Sequence, residues 1–124
     1  MNATSPLAVT EIKAFVPAKD FALSMAFYEA LGLTLASVDD GIAYFHFGDS
    51  SFLLQDFFVQ AHTDNFQMHL LVANVNAWHA QAKPVAARFG VKIGEPEEQP
   101  WRMRDFTLFD PSGVLWRIGQ NTRD

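Results

Sequence analysis

The side chains of this sequence that could do chemistry are few, and most of them interrupt apolar runs. Lys13 lies in VTEIKAFV (residues 9–16) and Arg117 in VLWRIG (residues 114–119). His46 lies in IAYFHF (42–47), His69 in FQMHLLV (66–72), and Gln55 and Gln67 place amides in the same kind of setting. In a concave apolar site, an ammonium or a planar guanidinium fork suits a carboxylate or another hydrogen-bonding group. An amide there orients a ligand without reacting with it, and an imidazole can serve as base or metal ligand. Phe15, Phe47, Trp101 and Met103 supply the flat, polarisable surface that stacks on a planar molecule. Each also has a structural reading: a strand cation paired with Asp56 or Asp105, a satisfied buried amide or histidine, or aromatic packing in a core or dimer. Zero cysteines exclude disulfides, thiolate nucleophiles and zinc-thiolate sites. No Ser-His-Asp order, phosphate-cradling glycine loop or Cys/His cluster is present.

The elements that must position these residues repeat. Residues 9–16 read as a strand, and Phe21, Met25, Tyr28 and Leu31 follow at helical spacing from Asp20 to a stop at Gly32. Strand-like runs at 33–38, 42–47 and 51–59 are separated by the turn signals Asp39-Asp40-Gly41 and Gly48-Asp49-Ser50. A second strand (66–72) leads through Asn74, a helix N-cap, to a helix that ends at Phe89-Gly90 and that Pro84 should break in two. A strand at 91–93, a Pro- and Glu-rich connection (94–100), a strand at 103–109, the turn Asp110-Pro111-Ser112-Gly113 and a strand at 114–119 complete the chain. Those four turn residues fit a type I turn and are given no further role. Both halves are β-α-β-β-β, module one over about 8–59 and module two over about 65–120. The expected architecture is α+β: one domain over 1–124, with curved mixed sheets around a cup that serves a small ligand.

Composition limits the partners. With 124 residues, 49% of them hydrophobic and 14% aromatic, the chain can bury a core but has no room for a second domain. A formal charge of −5 and nine scattered basic residues argue against a nucleic-acid surface. No apolar run approaches a membrane span, and Met1–Pro6 is neither basic nor followed by a signal-type core, so the expected location is the cytoplasm.

Three segments carry a resemblance. Asp20 to Gly32, with Ser24, Phe27-Tyr28 and Leu31-Gly32, Val72 to Trp78, and WRMRDFTLFDPSGVLWRIGQ (101–120) together resemble the signatures of the glyoxalase / bleomycin-resistance, or vicinal oxygen chelate, superfamily, in order and each on the matching half of the repeat. Metal-dependent members place His or Glu near the middle of the first and last strand of each module. The resemblance puts Lys13, Gln67 and Arg117 at three such positions and either Leu53 or Gln55 at the fourth. Three of the four suit no divalent ion, and two carry positive charge that would repel one. His69 lies two residues from Gln67 on the same strand face, so a short register gap would bring it into the set.

The resemblance therefore implies a binding protein rather than an enzyme, with no metal and no cofactor. It would sequester a small aromatic or polar organic compound in a cup lined by Lys13, Phe15, Phe47, Gln55, Gln67, His69, Trp101, Met103 and Arg117. Members of this kind form homodimers with ligand sites at or near the interface. The alternative is a metal-dependent lyase, isomerase or dioxygenase using a shifted site around His69, His46 and Asp56.

Overall fold

A computed structural model describes residues 5–122. The elements run β1 (Phe15–Pro17), α1 (Phe21–Leu31), β2 (Thr34–Asp39), β3 (Ile42–Phe47), β4 (Ser50–Gln55), α2 (Gln60–Thr63), β5 (Gln67–Leu71), α3 (Val75–Phe89), β6 (Glu97–Gln99), β7 (Met103–Phe109) and β8 (Leu115–Asn121). They form two four-stranded mixed sheets with the same plan: β1-β4-β3-β2 and β5-β8-β7-β6. The first strand of each module pairs in parallel with its last, and the remaining pairs are antiparallel. The α+β repeat expected from the sequence is the observed architecture.

Capping explains why the two long helices sit where they do. The Asp20 carboxylate accepts from the backbone N–H of Leu23, and the Asn74 side chain from that of Ala77, each satisfying a donor that the first turn leaves free. Both helices end on a left-handed glycine, Gly32 (φ +114°) and Gly90 (φ +66°), a conformation that other residues reach only with strain.

Four boundaries differ from the sequence expectation. β1 spans only 15–17; with Phe15 level with Leu53 and β4, its partner among the described residues, beginning at Ser50, residues before Ile12 have no residue of that strand opposite them. The strand expected to reach Val59 stops at Gln55, where the chain folds back and the Asp56 N–H donates to the Gly41 carbonyl (2.8 Å). α3 runs unbroken through Pro84. The carbonyl that loses its partner belongs to Ala80 on the exposed face, while Ala82, Val85 and Ala86 hold the other face in the core. Residues 91–93 contribute only the bridge Ile93 to Leu108, and the edge strand β6 forms in the Pro- and Glu-rich connection instead.

One core joins the modules. α1 contributes Phe27, Tyr28 and Leu31, sheet one Val16, Phe45, Phe52 and Leu54, and sheet two Phe106, Leu108, Trp116 and Ile118. At its centre the Tyr28 hydroxyl donates to the Asp110 carboxylate (2.5 Å) and accepts from Trp116 Nε1 (2.8 Å). Asp110 also accepts from the N–H groups of Ser112 (2.8 Å) and Val114 (2.9 Å), and Ser24 and Ser112 hydroxyls meet at 3.3 Å. The turn 110–113 is therefore more than a turn: its carboxylate clasps the helix of module one to the last strand of module two. Burial pushes the Asp110 carboxyl above its ordinary range, against the hydrogen bonds that favour the anion.

Candidate functional site

Strand alternation divides each sheet into a face on the core and an open face. Where the modules meet, a cavity of about 300 Å3 opens over the buried rings of Phe52 and Trp116, whose centroids are 5.4 Å apart. Leu33, Phe47, Met68, Leu70 and Leu71 wall it, and Ser50, Ser51 and His69 supply its polar groups. Phe47, half-exposed, meets Trp78 edge to face at 5.3 Å and separates this cavity from an open groove along Leu31, Gly32, Ala77 and Gln81. Phe47 and His69 are thus the two expected ligand residues that line this cavity.

The open face of sheet one carries Phe15, Tyr44, His46, Ser51, Leu53 and Gln55, in the register Phe15–Leu53–Tyr44 with Gln55 opposite Ile42. Lys13 approaches this face from the segment before β1. It pairs with Glu11 (2.5 Å), not with Asp56, and its ammonium lies 5.3 Å from the Tyr44 ring centroid. Glu11 had no assigned role in the sequence, yet it is the hub of this face: the Lys13 ammonium and the Tyr44 (3.0 Å) and Ser51 hydroxyls all donate to its carboxylate. These three donors, Lys13 first, hold the carboxyl at about 2, against an ordinary 4.5. Only the contact order of the folded chain could have revealed it, since its partners lie up to 40 residues away.

The open face of sheet two is built around Arg117. Its Nε donates to Gln67 Oε1 (3.0 Å), and its Nη1 lies 3.6 Å from the carboxylate of Asp105, which is 3% exposed and accepts from Gln99 (3.0 Å). His69 is level with Arg117 across the parallel ladder, so the two share this face. Met103 lies on it too, its sulfur over Gly119, where a Cβ would come within 2.8 Å. Trp101 is 61% exposed on the turn between β6 and β7, at the rim rather than on the face.

Within one chain, then, the expected residues form separate groups. Lys13, Phe15 and Gln55 belong to one open face and Gln67, Met103 and Arg117 to the other. No hydrogen bond, ion pair or ring contact among the described residues joins the two.

The repeat also shows which positions of the two modules are equivalent. Phe15 stands five residues before the helix N-cap Asp20 and faces Leu53; His69 stands five before Asn74 and faces Arg117. Leu53, not Gln55, is thus the counterpart of Arg117. Of Phe15, Leu53, His69 and Arg117 only His69 offers a ligand atom, and it has a guanidinium for its neighbour, so these four residues do not fit a divalent ion. His46, His69 and Asp56 do not gather, and no group of three or more His, Asp or Glu that could hold a metal forms among the described residues. No helix among them is long and apolar enough to cross a membrane.

Comparison with known proteins gives a consistent result. Residues 9–118 match the model of the Glyoxalase/Bleomycin resistance protein/Dioxygenase superfamily. A bleomycin resistance protein of Klebsiella pneumoniae is 31% identical over 114 residues, covering 86% of this chain and 88% of that protein. The crystal structure of a bleomycin-binding protein complexed with bleomycin superposes with a TM-score of 0.77 at 26% identity, covering 91% of this chain and 99% of that one. A lactoylglutathione lyase from Agrobacterium tumefaciens shares the fold (TM-score 0.69, 92% and 95% covered) at only 14% identity.

Proposed function

Because the chain belongs to the Glyoxalase/Bleomycin resistance protein/Dioxygenase superfamily, we propose that it is one of the members that sequester a small aromatic or polar organic compound without a metal. The observation that carries this reading is the aromatic cavity of Phe47, Phe52 and Trp116 beside open faces whose polar groups suit binding and not metal chemistry. Relatives at 31% and 26% identity are a bleomycin resistance protein and a bleomycin-binding protein, which supports an antibiotic-like ligand of that kind.

Flat rings enter the cavity against Phe47 and Trp116, with His69 and Ser51 as hydrogen-bonding groups at its edge. Lys13, Phe15 and Gln55 of one copy, and Gln67, Met103, Trp101 and Arg117 of another, complete the cup in a homodimer that acts in the cytoplasm. The exposed apolar side chains of the segment before β1, Leu7 (86%), Val9 (82%) and Ile12 (91%), are surface that a second copy would cover.

Bleomycin is the first probe, in a thermal-shift titration followed by calorimetry, alongside a panel of aromatic antibiotics. A saturable rise in melting temperature is expected for at least one of them. No shift with any of them would sink the sequestration reading. Incubation with nickel, zinc, manganese and ferrous iron followed by desalting should leave far less than one ion per chain; near-stoichiometric metal, lost in His69→Ala, would favour the lyase, isomerase or dioxygenase reading instead.

A further inference from the structure

The open groove beside Phe47, about 350 Å3 in volume, brings together the end of α1 (Leu31, Gly32), the first turns of α3 (Ala77, Trp78, Gln81) and the last residue of β3. Phe47 shares the core-side face of β3 with Ala43 and Phe45, so the groove opens on the helical side, away from the open faces that a second copy would cover. Its electrostatics are one-sided. An α-helix ends in roughly half a negative charge, which a lysine or arginine in the last turn commonly offsets. α1 has no basic residue in its last turn and carries Glu29 there instead. The Tyr28 and Glu29 carbonyls accept from the N–H groups of Gly32 and Leu33, but the Leu31 carbonyl, at the groove, is met by a long bond from Gln81 Nε2 (3.3 Å). The opposing start of α3 has its donors taken: the Val75 N–H by Gln120, the Ala77 N–H by the Asn74 side chain and the Trp78 N–H by the Asn74 carbonyl. Lys83 stands on the opposite side of α3 from Gln81, and Arg88, two turns or about 10 Å further on, lies over the ring of its neighbour Phe89 (4.9 Å). Phe47 and Trp78, edge to face at 5.3 Å, add two aromatic rings, whose faces attract a cation.

We propose that this groove is a second binding site, separate from the aromatic cavity, for a small organic cation: a primary ammonium on a compact apolar body. The ammonium donates to the Leu31 carbonyl at the end of α1, in the place that a last-turn lysine would fill, and the apolar body lies on Phe47 and Trp78. Gly32 keeps the approach open, because a Cβ there would stand 3.3 Å from Gln81 Nε2 and 4.0 Å from the Phe47 ring, between two walls of the groove. The occupant is a free small molecule. The volume is that of a small-molecule site. Among the described residues with large, exposed apolar side chains, Phe47 alone lines the groove, so no surrounding patch is offered to a protein partner. The formal charge of −5 favours a cation over an anion across the whole surface. This inference goes beyond the sequestration reading and does not depend on it.

The test uses the full chain, 15N-labelled, titrated at neutral pH with cyclohexylmethylammonium, with its neutral isostere cyclohexylmethanol and with cyclohexanecarboxylate. The expected result is saturable movement of the Trp78 indole signal and the Ala77 and Gly32 amide signals with the ammonium. Its affinity should exceed that of the alcohol about fivefold, with the carboxylate weaker still. Gln81→Lys supplies the chain's own ammonium to the end of α1; it should raise the melting temperature by about 2 °C and weaken ammonium binding about tenfold. Glu29→Gln should weaken the ammonium about twofold and leave the alcohol unchanged. Equal affinity for ammonium and alcohol, or ammonium binding undiminished by Gln81→Lys, would overturn the cation site. Movement confined to Phe52, Met68 and Trp116 would place the probe in the cavity and overturn the groove as its site, as would no movement at about 10 mM ammonium. Should Gln81→Lys fail to fold, the difference between ammonium and alcohol on the unaltered chain decides. The bleomycin titration decides the sequestration reading separately.

Discussion

The seam between the modules and the two open faces use the same kinds of side chain to opposite ends. At the seam, Tyr28, Asp110, Trp116, Ser24 and Ser112 are buried and hydrogen-bonded, and the bonds of Tyr28 and Ser24 cross from module one to module two. On the open faces, Glu11 with Lys13, and Arg117 with Gln67, are paired but remain partly exposed. A polar network that is saturated and dry specifies structure; one that is half-open can exchange its partners for a ligand. Trp116 belongs to both worlds, donating its N–H to Tyr28 while its ring forms the floor of the cavity.

Substitutions should separate the two. The largest effect on stability is expected for Tyr28→Phe, which takes a donor from the buried Asp110 carboxylate and an acceptor from Trp116 Nε1. Leaving both groups short should cost about 2–4 kcal/mol in urea unfolding. A loss below about 0.5 kcal/mol would mean that the clasp does not hold the modules together.

Phe47→Ala should do the reverse. It removes a cavity wall that is half-exposed, so stability should fall by only about 1 kcal/mol, whereas affinity for an aromatic ligand should drop roughly tenfold in calorimetry. Arg117→Ala lies between these extremes. It strips a guanidinium from Gln67 and from the buried Asp105, which keeps Gln99, and about 1–2 kcal/mol of stability should go with it.

The two carboxylates give the finest contrast, because their pH dependences have opposite sign. Asp110 is raised in the folded state, so the folded chain holds its proton more tightly; the associated stability is present below about pH 3.8 and is lost as pH rises through the folded value. Glu11 is lowered to about 2, so its contribution is present above pH 4.5 and is lost as pH falls through about 2. Asp110→Asn should remove the first slope and Glu11→Gln the second, each read from urea midpoints across the acid range. If both variants changed the same limb, the distinction between seam and face would fail.

Much of this organisation is legible in local residue chemistry. Asp20, Asn74, Gly32 and Gly90 announce both helices through their capping, and the turn residues separate the strands of each module. Pro84 points to a break because a proline's local cost says nothing of the packing that carries the helix past it. β6 is invisible in the sequence because Glu97–Gln99 has no apolar alternation; it exists because β7 offers it an edge. Among the site residues, Phe47 and His69 are legible as aromatic and imidazole groups in apolar strands. The fork of Arg117, expected to meet a ligand or Asp105, meets Gln67 and Asp105 together.

By itself the sequence determined the repeat, the helix limits, the family and the absence of thiol chemistry, since each follows from residue type and local spacing. Only the tertiary structure decided that Glu11 is a hub, that Asp110 is a clasp, that Leu53 rather than Gln55 faces Phe15, and that Phe52 and Trp116 floor a cavity between the modules. The reason is physical. Periodicity and capping act within a few residues, whereas ladder register and burial are set by partners tens of residues away, and a carboxylate's role depends on which of them arrive.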